Sequence, residues 1–224
     1  MRKKIRFYPQ HSPKAWEPSM ETCGAACVLM LLDYYCRISY PTPKMELGKI
    51  YPKYRVNGYK GMTGAAVANC LSFPKNGLKV HLVQSFCDRM DNRDGYFPEE
   101  IYESIMDSHK KHIDACKDRI RLSAGKDFDL DFLKQELEDG KKIVLECFIP
   151  EEPNAPPSVL HWVILEDYDA QTRCFRVRDP NPQVKLLHLT EEEVQACMDT
   201  PIGKICITVS DGMKRDGLRT EVWE

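Results

Sequence analysis

The sequence predicts an α+β fold, on three observations. Apolar residues recur at helical spacing in the segments that come first. Short apolar and β-branched runs, strand-like, concentrate after Gly140. No internal repeat or low-complexity tract interrupts the pattern. With 224 residues, 42% hydrophobic and 29% charged, the chain is long enough to bury a sizeable core. It is expected to form one domain over residues 1–224, with its core over about 15–210 and a polar tail over 211–224.

Taken in order, residues 1–20 carry Pro9, Pro13 and Pro18 and read as an extended lead-in. From Cys23 on, Ala26, Cys27, Met30, Leu31 and Tyr34 fall three or four apart, which predicts a helix to about Cys36. It is apolar on most sides, so it is expected to be central. Tyr40-Pro41-Thr42-Pro43 ends it. A second helix is predicted over 62–71 and a strand over 77–83. Residues 98–117 read as an amphipathic helix with Ile101, Ile105, Ile113 and Cys116 on its apolar side. Residues 129–138 form a short helix stopped by Gly140. Strands are expected over 142–149, 160–167, 174–179 and 201–209, with a Pro-rich loop over 151–158.

The net charge of −2 gives no general attraction to nucleic acid or to anionic membrane. The basic opening Met1-Arg2-Lys3-Lys4-Ile5-Arg6 has no apolar stretch behind it, so it does not read as a signal peptide. No run approaches the ~18 apolar residues that span a bilayer. The expectations are therefore a cytoplasmic location, no membrane insertion, no nucleic-acid partner and no cofactor. Oligomeric state is left open. Ten cysteines without a C-x-x-C pair argue against a zinc knuckle, and most of them sit in apolar segments as small core residues.

Cys23 stands apart from the others. It falls at the first turn of the predicted helix, where backbone N–H groups lack intrahelical partners and the helix dipole is positive. Both favour thiolate, and Cys27, one turn deeper, gains neither. Gly24 would leave open backbone beside the thiol for a substrate carbonyl, and the Cys23 amide would donate to an oxyanion. His161 lies in an apolar strand. A hairpin of residues 160–167 and 174–179 centred on Ala170 sets Asp179 directly across from it, close enough to orient an imidazole. A one-residue slip would send Asp179 to the other face. A cysteine at a helix start, followed by a histidine and an acid, is a pattern of nucleophilic catalysis.

The stretch Met20-Glu21-Thr22-Cys23-Gly24-Ala25-Ala26-Cys27-Val28-Leu29-Met30-Leu31-Leu32-Asp33-Tyr34-Tyr35, with His161-Trp162-Val163-Ile164-Leu165 and Asp179-Pro180, resembles the C39-like cysteine peptidases. That family has a papain-like fold and includes the double-glycine leader peptidases of bacteriocin transporters. The resemblance spans roughly residues 17–190. It implies a central helix bearing Cys23, packed on an antiparallel sheet that bears His161 and Asp179. It further implies Cys23 as nucleophile, His161 as general base and acid, and Asp179 as orienter, acting on a peptide-like amide through an acyl-thioenzyme.

The family usually carries a glutamine six residues before the cysteine, completing the oxyanion hole. Here that position is Glu17, which as a carboxylate cannot donate. A protonated Glu17, or Gln10 if the lead-in loops back, would fill the role. Loss of one such donor costs on the order of 10²–10³ in rate. The same triad also serves an acyltransferase or transpeptidase, and Glu17 favours a third reading, a non-catalytic peptide-binding module. No ATP-binding or membrane-spanning segment is evident, so a free-standing protein is expected rather than a transporter.

His109, His112 and Cys116 share one helix side and suit a solvated face as well as a metal, so no metal site is assigned. Glu99, Glu100 and Glu191–Glu193 read as acidic helix starts. Trp162 reads as core.

Overall fold

The computed structural model describes residues 4–10, 22–38, 43–57, 59, 61–150 and 157–212. Its centre is helix α1 (Cys23–Tyr34), in which every side chain from Cys23 to Leu32 is buried. A helix apolar all round cannot lie on a surface, so the rest of the fold wraps it. Three helices share its side of the molecule: α2 (Pro43–Tyr54), α3 (Gly64–Leu71) and α4 (Glu99–Cys116). α3 starts on Thr63, whose side chain accepts from the Ala66 N–H.

Seven strands form one sheet among the described residues: β1 (Leu78–Gln84), β2 (Arg121–Ser123), β3 (Lys142–Pro150), β4 (Pro157–Asp169), β5 (Cys174–Arg178), β6 (Leu186–Thr190) and β7 (Ile205–Asp211). Their order across the sheet is β2-β1-β7-β3-β4-β5-β6. All neighbours are antiparallel except β1 and β2, which pair in parallel. Alternation along the strands divides the core in two. Val144, Trp162 and Ile164 pack with α1 to α4. Ile143, Leu145, Val163 and Leu165 pack with α5 (Leu130–Glu138) and α6 (Glu191–Cys197) on the other face.

The α+β class and the papain-like arrangement hold. Four local readings change. α2 was not foreseen, and it is polar on average and holds Pro52 inside it. Strands β2 and β6 are short edge strands whose side chains are largely exposed or half-buried, so they lack an apolar run to announce them. β4 begins at Pro157, inside the expected loop. β7 starts at Ile205 rather than 201 and ends at Asp211, where the tail was expected to start. The lead-in residues 11–20, the break at 40–42, residues 151–156 of the Pro-rich loop and 213–224 of the tail lie outside the described residues. Among the described residues no helix is long and apolar enough to cross a membrane.

Candidate active site

Cys23 is the first residue of α1, and the preceding Thr22 makes no side-chain cap bond to the open first-turn amides. The helix is pinned there to the strand that carries the histidine. The Cys27 thiol donates to the Trp162 carbonyl at 3.4 Å, and the Trp162 indole N–H donates to the Met62 carbonyl at 3.0 Å. Burial, then the negative groups at Cys23 and Asp179, push the Cys27 thiol well up, so Cys27 stays protonated and structural. Gly24 departs from the expected open approach. A Cβ on it would come within 3.2 Å of Trp162 and 3.3 Å of Met62, so it serves close packing of α1 against its neighbours.

His161 is fully buried and its Nε2 lies 2.8 Å from Asp179 Oδ1. The same carboxylate oxygen accepts the Asn181 N–H at 2.7 Å, so the turn after β5 holds it in place. Nδ1, the remaining ring nitrogen, has no aligned hydrogen bond among the described residues. Cys23 lies close enough to act on the ring. A thiol within reach but not aligned is usual for an unliganded site. Burial alone would lower the His161 pKa. The bonds to Asp179 and Cys23, and their charges, outweigh it and push the imidazole up to about 10.

The register that brings His161 and Asp179 together differs from the expected one. The β4–β5 hairpin turns over residues 170–173, with Asp169 opposite Cys174, rather than about Ala170. Carried on without interruption, that register would set Asp179 opposite Ile164, on the face away from His161. One extra residue, Glu166, is bulged out of β4 between Leu165 and Asp167. Beyond it Ile164 pairs with Arg178, so the next step puts Asp179 across from Val163 and diagonal to His161, on one face. Glu166 is itself held: its carboxylate meets Arg178 Nε at 2.8 Å and Arg176 Nε at 2.9 Å. Its carbonyl accepts from Lys142 Nζ at 2.6 Å.

Gln10 is buried, and its N–H donates to the Pro180 carbonyl at 2.9 Å, so the lead-in does fold back onto the turn that follows Asp179. Glu17, on which the non-catalytic reading turns, lies outside the described residues.

Cys23 opens on a cleft shared with Tyr59, Met62, Phe97, Trp162 and Glu146. Glu146 was missed in the sequence. Its neighbour Trp162 pairs with it across β3–β4, and its Oε2 is buried with no hydrogen-bond partner among the described residues. Burial, and then the charge of Cys23, raise it to about 8. The signal was present: a single carboxylate in the otherwise apolar run Ile143 to Ile149.

His109 and His112 are buried rather than solvated. Nε2 of His109 meets Gln84 Oε1 at 3.1 Å, and Nδ1 of His112 meets Asn69 Nδ2 at 2.9 Å. Burial lowers both to about 4. Among the described residues no three His, Cys, Asp or Glu side chains are grouped to hold a metal. All ten cysteines are free, and Cys36 and Cys87 are exposed rather than core.

This architecture is the C39-like peptidase fold. The chain is similar to a putative C39-like peptidase from Bacillus anthracis, with a TM-score of 0.52 and 13% identity over 93% of this chain and 95% of that one. The peptidase domain of Streptococcus ComA, a bi-functional ABC transporter involved in a quorum sensing pathway, matches at TM-score 0.45 and 10% identity, over 92% of this chain and 98% of that one. No protein-family model matches the chain, and no curated protein sequence does.

Proposed function

We propose that the chain is a cysteine peptidase or amidase acting on a peptide-like amide. The observation that carries this reading is the meeting of Cys23, at a helix first turn, with an imidazole whose other nitrogen is bonded to a buried carboxylate. In this reading His161 takes the Cys23 proton and Asp179 stabilises the imidazolium. The thiolate adds to the amide carbonyl, and the Cys23 N–H and the Gln10 side chain receive the oxyanion. Collapse of the adduct breaks the C–N bond as His161 returns the proton to the leaving amine. Water, deprotonated by His161, then cleaves the thioester and restores the thiol.

The test is thiol reactivity. Iodoacetamide at pH 6–7, read by peptide mass spectrometry, should modify Cys23 faster than the other nine cysteines. His161→Ala should slow Cys23 by more than tenfold. Exposed Cys36 and Cys87 are the internal standards, since accessibility alone would favour them over buried Cys23. Equal or slower labelling of Cys23, or indifference to His161→Ala, would sink the reading.

A further inference from the structure

Strand alternation makes one end of the sheet polar on the side away from α1. Val80 and Leu82 of β1, with Ile207 and Val209 of β7, pack into the core of α1 to α4. Lys79, His81, Thr208 and Ser210 therefore point to the other side. Arg121, which pairs with His81 across β1–β2, joins them there. Further along the same side, Val83 and Cys206 pack into the core of α5 and α6. The end that those helices leave uncovered is concave. A pocket of about 390 Å³ is lined there by these polar side chains and by Arg119, from the turn between α4 and β2. That volume falls within the ~300–1,000 Å³ of small-molecule sites.

The charge of this hollow is one-sided. Lys79, Arg119, Arg121 and Lys141 line it, and no acidic residue does. Lys141 is already neutralised, by Glu136 at 2.6 Å and Asp139 at 3.3 Å. The other three cations are not. Lys79 and Arg121 form no ion pair among the described residues. Arg119 donates to the Ser72 carbonyl at 3.2 Å and to Asn69 Oδ1 at 2.6 Å. Both acceptors are neutral, so they orient the guanidinium and leave its charge in place. His81, whose Nε2 meets Ser123 Oγ at 3.0 Å, registers the resulting field. Burial, and then the charge of Arg121, lower its imidazole to about 4, with Lys141 and Lys126 adding to Arg121 and Glu136 opposing. In a chain of net charge −2, three uncompensated cations around one hollow call for an anion.

We infer that this pocket binds a small phosphate ester, with its phosphate on Lys79, Arg119 and Arg121 and its organic part beside the Thr208 and Ser210 hydroxyls. Two guanidinium forks match phosphate oxygens in pairs, and a lysine adds a point charge to a dianion. The hydroxyls can donate to, or accept from, a polyol. Phosphate alone fills only part of the hollow, which leaves room for the organic group. Binding here is independent of the peptidase reading, because Cys23 packs in the core of α1 to α4.

The experiment is isothermal titration calorimetry on the full chain, near neutral pH and at one fixed ionic strength. The probes are glucose 6-phosphate, glycerol 3-phosphate, inorganic phosphate, succinate and glucose. At least one of the two esters should bind once per chain, more tightly than inorganic phosphate and at least tenfold more tightly than succinate. Glucose should not bind. The double variant Lys79→Ser/Arg121→Ser should weaken the ester at least tenfold. Both residues are exposed, so the fold is kept, as circular dichroism would show. A second double variant, Lys53→Ser/Lys111→Ser, removes equal charge from the groove between α2 and α4 and should change binding by less than twofold. Saturable binding of neither ester overturns the pocket. So does equal weakening by the two double variants, which would mean general charge attraction, or succinate binding as tightly as the esters. Inorganic phosphate binding more tightly than both esters overturns the ester and leaves a site for the free ion.

Discussion

His161 Nε2 is bonded to the buried Asp179 carboxylate, and Glu146 Oε2 has no hydrogen-bond partner among the described residues. Both groups hold their protons more tightly in the folded protein than in the unfolded chain. For His161 the folded value is about 10, above its unperturbed ~6.5. Its contribution is full below pH ~6.5 and is lost as pH rises toward about 10. For Glu146 the loss runs from its unperturbed ~4.3 up to about 8. Urea denaturation should therefore show stability falling from pH 5 to pH 8. Glu146→Gln should flatten that decline, gaining on the order of 1–3 kcal/mol at pH 8 relative to pH 5. An unchanged slope in Glu146→Gln would show that Glu146 is not held protonated.

At the scale of elements, the β4–β5 hairpin decides whether His161 and Asp179 share a face. A bulge of one residue, Glu166, returns Asp179 to the face of His161. Two variants separate the bulge from the side chain that fills it. Glu166→Ala keeps the extra residue and strands Arg178, 9% exposed, so it should cost roughly 3–5 kcal/mol while retaining selective Cys23 labelling in the folded fraction. Deleting Glu166 should lower Cys23 labelling to the His161→Ala level in protein that circular dichroism shows to be folded.

This hairpin also marks the limit of what the sequence discloses. His161 is legible as a strand residue and Asp179 as an acid of the right chemistry, which the structure sets one residue past β5, but the sequence pairs them through a turn centred on Ala170. The true turn lies further on, and only the bulge restores the face. Bulges leave no periodic trace, because one added residue changes register without changing composition. Helices α1, α3, α4 and α5 were legible because burial imposes a period on their apolar residues. α2, β2 and β6 were not, since their residues carry little apolar pattern. In the sequence His109 and His112 suit a solvated face as well as a metal, whereas both are buried: on a helix, neighbours in sequence point apart.

For the whole molecule, the sheet separates two cores with different duties. One packs α1 to α4 and includes Cys23, Met62 and Trp162; the other packs α5 and α6 against β3, β4 and β5. Leu133 on α5 is fully buried in the second core. Leu133→Ala should cost about 2–5 kcal/mol by urea denaturation. The Cys23 iodoacetamide rate in native buffer should stay within about twofold, since Cys23 itself packs in the first core. A tenfold fall in that rate would mean that the two layers are coupled through β4.

The tie between the Gln10 N–H and the Pro180 carbonyl, together with the Asp179–His161 bond, has a consequence in the order of synthesis. The ribosome delivers Gln10 and Cys23 early, whereas the hairpin that orients His161 is complete only after most of the chain has emerged. A half-made chain thus carries the thiol with neither its imidazole nor the anchor for Gln10. Under the proposed peptidase reading, Cys23 would gain its imidazole only with the late closure of β4 against β5.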